Sequence, residues 1–336
     1  MRDAFVEILR DARRVPPGGI EELVEIDVDG SRQWLSIRSK DVRNPVLLFI
    51  HGGPGWPEMP LAWLYQGGWE DYFVVVNWDQ RACGKSVKAM WPPPSPQASL
   101  IDVAVRDATT VVDWICNRLH QQKVFVLGHS WGTVVGTLLA RRIPNRLHAY
   151  IGVGQVVDWV DNERASYACV LDEARARAHE EAIAELSALA PYPPSRPDKT
   201  ALEHLLLERK WVIRLGGMLH GRTDIDVLER VRTLCPEYSD ADLDSENQVV
   251  DAAGHLLAEL MTYKARTIRR LDCPVLLAGG CHDFATPSSV AKDWFDTLEA
   301  PFKRWRWFER SAHLPHIEEP GRFSSYLFED ALPLSR

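Results

Sequence analysis

The chain has 336 residues, of which 46% are hydrophobic and 26% are charged, as in an ordinary globular protein. This length suits one large core domain with an insertion better than two large domains. The net charge of −8 argues against nucleic acid as a partner. Membrane partners are not expected either, because no apolar run reaches the roughly 20 residues of a membrane-spanning helix.

Residues 1–14 (MRDAFVEILRDARR) predict an amphipathic helix that ends at PPGG. The segment is charged from its second residue and lacks the apolar run of a signal peptide. The six cysteines are scattered without a CxxC pair, which is typical of free thiols in a reducing compartment. Together these features predict a cytoplasmic protein.

Eight short β-branched or apolar runs predict strands. The first two alternate polar and apolar residues and flank a VDGS turn, as a half-exposed hairpin would. Most of the later runs are continuously apolar, as in a parallel sheet that is covered on both faces. Helical segments lie between them, for example at 100–119 and 130–142. The pattern predicts an α/β fold with a mostly parallel, doubly wound sheet; the runs are 23–28, 32–37, 46–50, 72–78, 124–128, 150–154, 275–280 and 303–308.

The alternation of strands and helices stops after Gly154 and resumes at Cys273. Between these points the pattern is helical, and acidic residues outnumber basic ones. We therefore expect an α/β core formed by 1–155 and 267–336, with the N-terminal helix at 1–14. Residues 156–266 are expected to form an inserted helical cap over one edge of the sheet.

Residues 128–132 read GHSWG, a G-x-S-x-G pattern after an apolar strand and before a helical run. A serine on such a sharp turn needs small neighbours two positions away, because the backbone is strained and closely packed. The turn lifts the hydroxyl out of the sheet. Ser130 is therefore the candidate nucleophile.

A serine hydroxyl needs a base that accepts its proton. His313, in SAHLPH after the last strand run, is the candidate base, and His316 is its competitor. Asp283 follows another strand end and is the candidate acid. Asp158, after the strand at 150–154, is a weaker candidate for the same role. Both Asp283 and His313 lie at carboxyl ends of strands, where ligand sites form in open α/β sheets.

Residues 51–55 read HGGPG directly after the strand at 46–50. Acyl transfer needs N–H donors that stabilise a tetrahedral oxyanion. We expect the amide of Gly53 to supply one donor, with Gly52 as its alternative, and the backbone N–H of Trp131 to supply the other. No nucleotide-binding motif is present, and the histidines show no HExxH spacing. The sequence therefore predicts neither a cofactor nor a metal, and chelators should not change activity.

Five ordered motifs resemble those of α/β-hydrolase-fold serine hydrolases of the prolyl aminopeptidase (proline iminopeptidase) type. They are HGGPG, DQRACGKS at 79–86, GHSWG, GGCHDFATP at 279–287 and SAHLPHIEEP at 311–320. The resemblance implies Ser130, Asp283 and His313 as nucleophile, acid and base. It also implies that His51, Asp79 and Arg81 are structural residues beside the site.

The chain departs from this family's pattern in three places. Ala82 stands where the family has glycine, and His129 stands in the elbow where its aminopeptidases commonly have Gly or Gln. The cap motifs whose glutamates hold the substrate's α-amino group in the peptidases are absent, and the nearest text, Glu208-Arg209-Lys210-Trp211, has the wrong order. The resemblance therefore implies the chemistry better than it implies peptidase specificity.

The chain has 13 tryptophans, several of which flank the motifs. Trp56, Trp159 and Trp211 are candidate contacts for a bulky apolar substrate. We therefore predict hydrolysis of a small-molecule carboxylic ester or lactone. An amine-bearing apolar substrate, as in the macrolide esterases related to this branch, would also suit the acidic cap. The alternatives are an aminopeptidase that acts on short peptides and a non-catalytic ligand-binding homologue. The oligomeric state is left open.

Overall fold

The computed structural model describes residues 2–92, 99–244 and 256–336. All eight predicted strands are present and form one sheet. The strands are β1 (Ile20–Val28), β2 (Ser31–Ser39), β3 (Val46–Ile50), β4 (Val74–Asp79), β5 (Val124–His129), β6 (Leu147–Val153), β7 (Val275–Gly280) and β8 (Lys303–Phe308).

The sheet has the order β1-β2-β4-β3-β5-β6-β7-β8. Strands β1 and β2 form an antiparallel hairpin, and β2 pairs antiparallel with β4. Every later pairing is parallel, so β3 to β8 end at the same edge of the sheet. The predicted fold class, a mostly parallel doubly wound sheet, is confirmed.

The β1–β2 hairpin turns through Asp29 and Gly30, which have φ angles of 50° and 78°. Two successive residues with positive φ are the requirement of a type I′ turn, and Asp-Gly satisfies it at little cost. The polar residues of VDGS therefore fix the register of the hairpin, and β1 alternates exposed and more buried positions along its length.

Strand β5 shows why the central runs are continuously apolar. Val124 and Val126 belong to the apolar layer on one face of the sheet. Phe125 and Leu127 belong to the layer on the other face. Each residue of the strand is thus removed from water whichever way it points, and burial of such side chains contributes about 1.5–3 kcal/mol each.

The helices before the insertion are α1 (Arg2–Ala12), α2 (Ala62–Tyr65), α3 (Leu100–Arg118) and α4 (Trp131–Arg142). Ser99 caps α3, since its side chain accepts a hydrogen bond from the backbone N–H of Asp102. No side chain of α1 is buried. After the insertion come the helices Ser288–Thr297, Pro315–Glu318 and Pro320–Tyr326.

Helices also fill the described part of the segment between β6 and β7. They are α5 (Trp159–Ala176), α6 (Glu180–Ala188), α7 (Lys199–Arg214), α8 (Asp226–Arg232) and α9 (Asp240–Asp244), and residues 256–260 are helical as well. An isolated β-bridge joins Asp158 to Lys264 near the two ends of this segment. The division into core and cap stays a prediction. Within the ranges given above, no helix is long and apolar enough to cross a membrane.

Candidate active site

The turn between β5 and α4 has a strained backbone at Ser130. Its φ and ψ are 52° and −119°, a region that residues with a side chain rarely adopt. The Ser130 N–H donates to the carbonyl of Val153 at the end of β6 (2.9 Å), which helps to hold this conformation. Ser130 is partly exposed, whereas its neighbours in β5 and α4 are buried. The turn therefore presents a serine side chain at the edge of the sheet.

The two glycines of GHSWG are required by close backbone packing. A Cβ atom on Gly128 would lie 2.4 Å from the carbonyl oxygen of Gly132. One on Gly132 would lie 2.0 Å from the carbonyl oxygen of Ile50 in β3. Any side chain at these positions would push α4 away from the sheet, so the pattern reflects a steric demand.

Asp283 and His313 form a buried pair at the ends of β7 and β8. His313 Nδ1 lies 2.9 Å from Asp283 Oδ2. Thr286 orients the carboxylate, since its backbone N–H donates to Oδ1 and its hydroxyl donates to Oδ2, both at 2.8 Å. The carboxylate thus accepts the Nδ1 proton, which leaves Nε2 of His313 free to act as a base.

The structure separates these two residues from their competitors. Asp158 caps α5 by accepting from the backbone N–H of Asp161 (3.2 Å), and it is not a hydrogen-bond partner of His313 among the described residues. His316 Nε2 faces Glu58, at 3.5 Å from Oε1. Neither residue is placed as the sequence-based alternatives require.

Two contacts bring the pair beside Ser130. His129 Nε2 lies 3.0 Å from the carbonyl oxygen of His313, and the two rings are 4.8 Å apart. Gly154, directly after the residue that binds the Ser130 N–H, packs on the other side of the His313 ring. A Cβ there would be 2.8 Å from Cε1 of His313.

Glu318 is a supporting residue that the sequence analysis missed. One of its carboxylate oxygens accepts from the backbone N–H of Ala312 (2.9 Å) and of Leu314 (3.1 Å), on either side of His313. The other accepts from the backbone N–H of His220 in the insertion (2.6 Å). Burial raises the pKa of Glu318. The position in IEEP gave no signal, because its role depends on backbone groups that only folding brings together.

The segment between β6 and β7 contacts the loops that carry Asp283 and His313. The His313 N–H donates to the carbonyl of Met218 (3.2 Å), and the Phe284 N–H donates to that of Gly217 (3.2 Å). Asn162 in α5 donates its side-chain amide to the carbonyl of Ala285 (3.1 Å). The inserted helices therefore lie against the candidate acid and base.

The HGGPG loop lies beside Ser130. A Cβ on Gly52 would be 3.2 Å from Cβ of Ser130, and Gly53 is exposed with a φ of 107°. Trp131 is the first residue of α4, so its amide belongs to the helix N-terminus. Its ring is 3% exposed and its indole N–H donates to Gln80 (3.0 Å). The ring of Trp131 is therefore part of the buried apolar core, and its role as an oxyanion donor through the backbone N–H stays a prediction.

His51, Asp79 and Arg81 make buried contacts behind this loop. His51 Nε2 accepts from the Gln80 N–H (3.1 Å), and burial lowers its pKa to about 4. Arg81 pairs with Asp107 and donates to the carbonyl of Val28 (3.3 Å). These contacts are those of residues that fix loop positions.

Asp79 accepts from the backbone N–H of Lys85 (2.8 Å) and from the hydroxyl of Tyr238. Gly84 allows this approach, since a Cβ there would lie 2.4 Å from Asp79 Oδ2. Ala82 has a φ of 57°, a left-handed conformation that explains why the resembling family has glycine at this position. Ala82 thus adopts the loop conformation that glycine would adopt, but its Cβ atom makes that backbone conformation strained.

We expect Asp79→Asn to stabilise the protein at alkaline pH. Burial raises the pKa of Asp79 to about 6, from 3.8. Because the folded state holds this proton more tightly, the wild type loses stability as pH rises from 4 to 8, by about 3 kcal/mol from this group. Asparagine does not titrate. Urea unfolding of both proteins at pH 5 and pH 8 should show a difference that grows with pH, and a constant difference would contradict the expectation.

The three candidate tryptophans lie in different surroundings. Trp56 is partly exposed, and the Arg232 guanidinium lies 4.6 Å from its ring centre. Trp159 is 7% exposed and packs with Ala201 and Leu257. Trp211 is fully buried among the inserted helices, and its indole donates to Glu185 (2.8 Å). Because Trp211 is fully buried, the prediction that it contacts substrate is corrected. The sequence pattern of a helix does not distinguish a tryptophan that faces the core from one that faces a cleft.

Comparisons with known proteins identify the family of this chain. A family model described as the alpha/beta hydrolase fold matches residues 45–320. "Probable aminopeptidase YbaC" of Bacillus subtilis is 33% identical over 310 residues, which cover 91% of this chain and 95% of that protein. A "Proline iminopeptidase" of Heyndrickxia coagulans is 24% identical over 315 residues, covering 89% and 94% of the two chains.

Among solved structures, the fold resembles that of a proline iminopeptidase-related protein from Thermus thermophilus. The TM-score is 0.67 at 21% identity, and the match covers 94% of this chain and 98% of that one. The predicted resemblance to proline iminopeptidase-like proteins is confirmed. Because the family model matches most of the chain and a relative is 33% identical over 91% of it, this protein belongs to the alpha/beta hydrolase fold family.

Proposed function

We propose that the protein is a serine hydrolase in which Ser130 is the nucleophile, His313 the general base and Asp283 the orienting acid. One observation carries the proposal. A serine held in a strained turn follows His129, whose ring packs 4.8 Å from that of His313, and His313 Nδ1 contacts a buried carboxylate at 2.9 Å. Such an arrangement activates a hydroxyl that would otherwise be a poor nucleophile.

The reaction then takes two steps. His313 Nε2 removes the Ser130 proton as Oγ bonds to the carbonyl carbon of the substrate. The proton passes to the leaving alcohol as the C–O bond breaks, which gives an acyl-enzyme. Water, deprotonated by the same histidine, releases the acid and returns the proton to Ser130. The amides of Gly53 and Trp131 stabilise the oxyanion in both steps, with Gly52 as the alternative to Gly53.

A carboxylic ester or lactone is the substrate class that the insertion favours. Two fully buried glutamates among its described residues already have partners for their carboxylates. Glu163 pairs with Arg209 and accepts from the Tyr192 hydroxyl (2.6 Å). Glu208 pairs with the same Arg209 and accepts from the Ser166 hydroxyl (2.5 Å).

All four carboxylate oxygens of this pair thus have a partner, and Arg209 supplies the positive charge. A free α-amino group would have to displace the guanidinium and leave it buried without its counter-ions, which costs several kcal/mol. Burial also raises the pKa of Glu208, so its charge is further reduced. This arrangement argues against recognition of a substrate ammonium by these glutamates.

Aminopeptidase activity is the second candidate. It is favoured by the name of the relative from B. subtilis, which is 33% identical across nearly the whole chain. The same elbow and base can cleave an amide, so only the recognition of the substrate separates the two candidates. The substrate is a small-molecule ester or lactone for the first candidate and a short peptide for the second. Neither candidate uses a cofactor.

One panel of substrates tests the proposal. Purified protein is assayed with p-nitrophenyl esters, with lactones of different ring size and with proline p-nitroanilide, and Ser130→Ala gives the background rate. We expect saturable turnover of esters or lactones and a much lower kcat/KM for the anilide. Rapid, saturable release of p-nitroaniline with weak ester turnover would establish the aminopeptidase instead. Failure of a fluorophosphonate to label the wild type would indicate the non-catalytic homologue.

A further inference from the structure

Three buried side chains converge directly behind the elbow: Glu58, His129 and His316. Their exposures are 1%, 3% and 0%. Glu58 Oε1 lies 3.4 Å from His129 Nδ1 and 3.5 Å from His316 Nε2. One ligand atom from each residue falls within 4.8 Å of the other two. The three residues are far apart in sequence, so no local spacing motif could reveal them.

None of the three facing atoms has a hydrogen-bond partner of normal geometry within the described residues. Neither ring nitrogen of His316 has one, although this imidazole is packed among the rings of Phe49, Tyr65 and Phe323. A buried polar group without a partner costs about 1–3 kcal/mol, and such groups are rare in native proteins. We therefore expect these buried atoms to bind a further group.

The protonation of the His129 ring limits which partner the three buried side chains can have. Its Nε2 lies 3.0 Å from the carbonyl oxygen of His313, and a carbonyl only accepts, so Nε2 carries the proton. In the neutral imidazole, Nδ1 then offers a lone pair toward the carboxylate oxygen Oε1 of Glu58. Two lone pairs that face each other repel, so a proton, a water or a metal ion between them would stabilise the cluster.

The distances favour a metal ion over a shared proton. Charge-assisted N–H···O⁻ hydrogen bonds close to about 2.7–2.9 Å, whereas both observed contacts are 3.4 Å or longer. Nitrogen and oxygen ligands about 2.0–2.1 Å from a tetrahedral Zn²⁺ are themselves roughly 3.3 Å apart. The two contacts to Glu58 are close to that value, and the two imidazole nitrogens, which lie within 4.8 Å of each other, would move closer together when an ion binds.

The outer contacts are those of metal ligands as well. A histidine ligand usually donates its second N–H to a carbonyl or carboxylate, as His129 does to His313. A carboxylate ligand is usually hydrogen-bonded through its other oxygen, and Tyr65 donates its hydroxyl to Glu58 Oε2 (3.3 Å). Two of the three residues therefore have the partners that fix a ligand's orientation.

We propose that Glu58, His129 and His316 form a structural site for a divalent transition metal of the zinc class. The ligand atoms are Oε1 of Glu58, Nδ1 of His129 and Nε2 of His316. The site joins the segment after HGGPG, the elbow and the short helix Pro315–Glu318 that follows His313. It is closed to substrate, so the ion would fix these three loops relative to each other without contacting the reacting atoms.

Metal content of the full-length protein tests the site without reference to activity. The protein is produced in minimal medium with either Zn²⁺ or Co²⁺ and analysed by plasma mass spectrometry and visible absorption. We expect close to one ion per chain, and tetrahedral d–d bands between about 500 and 650 nm in the cobalt form. Glu58→Gln and His316→Gln should each lower the metal content at least tenfold. His220→Gln, which alters an exposed histidine stacked on His282, should not change it.

The wild-type measurement decides the question even if the variants fail to fold. Less than about 0.1 ion per chain after growth in either metal, with no d–d absorption, would overturn the proposal. The cluster would then be held by a shared proton or a buried water. Metal content that persists unchanged in both Glu58→Gln and His316→Gln would overturn it too, since the ion would be bound elsewhere.

Discussion

Replacement of Ser130 by alanine is expected to lower kcat for ester hydrolysis by about 10⁵–10⁶-fold. The variant keeps Asp283, His313 and the oxyanion donors, but it has no hydroxyl to form the acyl-enzyme. The fold should be unchanged, because the contacts that hold the turn are the backbone N–H of Ser130 and the two flanking glycines. Initial rates, together with thermal unfolding of both proteins, measure the effect.

Ser187→Ala is the matched control for this variant, since Ser187 is an exposed serine of helix α6 in the insertion. It should retain wild-type kcat and fluorophosphonate labelling, and Ser130→Ala should lose both. Residual labelling of Ser130→Ala at the wild-type rate would show that another residue is the nucleophile.

Asp283→Asn is expected to lower kcat by about 10⁴-fold and to leave a small residual activity. The carboxylate accepts the Nδ1 proton of His313, and the amide of asparagine can donate to Nδ1 instead. The imidazole would then carry its proton on Nε2, where it cannot accept the Ser130 proton. His313→Ala should be more severe, because it removes the base itself. Steady-state kinetics of both variants measure the effects.

Asp158→Asn is the control for this comparison. Asp158 caps α5, and asparagine caps a helix about as well as aspartate, so neither stability nor kcat should change much. A large loss in Asp158→Asn with activity retained in Asp283→Asn would reverse the assignment of the acid. Turnover that survives His313→Ala would likewise exclude His313 as the base.

Much of the fold could be predicted from local patterns. The central strands follow from apolar runs, because a strand between two helical layers must be apolar at every position, as Val124 to Leu127 show. The β1–β2 hairpin follows instead from alternating polar and apolar residues around an Asp-Gly turn. The position of Ser130 follows from Gly128 and Gly132, since only glycine fits against the neighbouring backbone. These features depend on neighbours in the chain or on a backbone geometry that one motif encodes.

Other features depend on contacts between distant segments. Glu318 supports the His313 loop through backbone N–H groups, which carry no mark in the sequence. The acidic composition of the segment between β6 and β7 favours a cationic substrate. The structure argues against this for Glu163 and Glu208, because both carboxylates already pair with Arg209.

The sequence by itself determined the α/β fold class, the elbow at Ser130 and the order of the motifs, because strand burial and tight turns restrict residue type position by position. Only the tertiary structure placed Asp283 against His313 and Asp158 at the start of α5, and only it brought Glu58 to His129 and His316. Those choices rest on which side chains meet across the carboxyl edge of the sheet. That is decided by the packing of loops far apart in the chain, for which no local pattern exists.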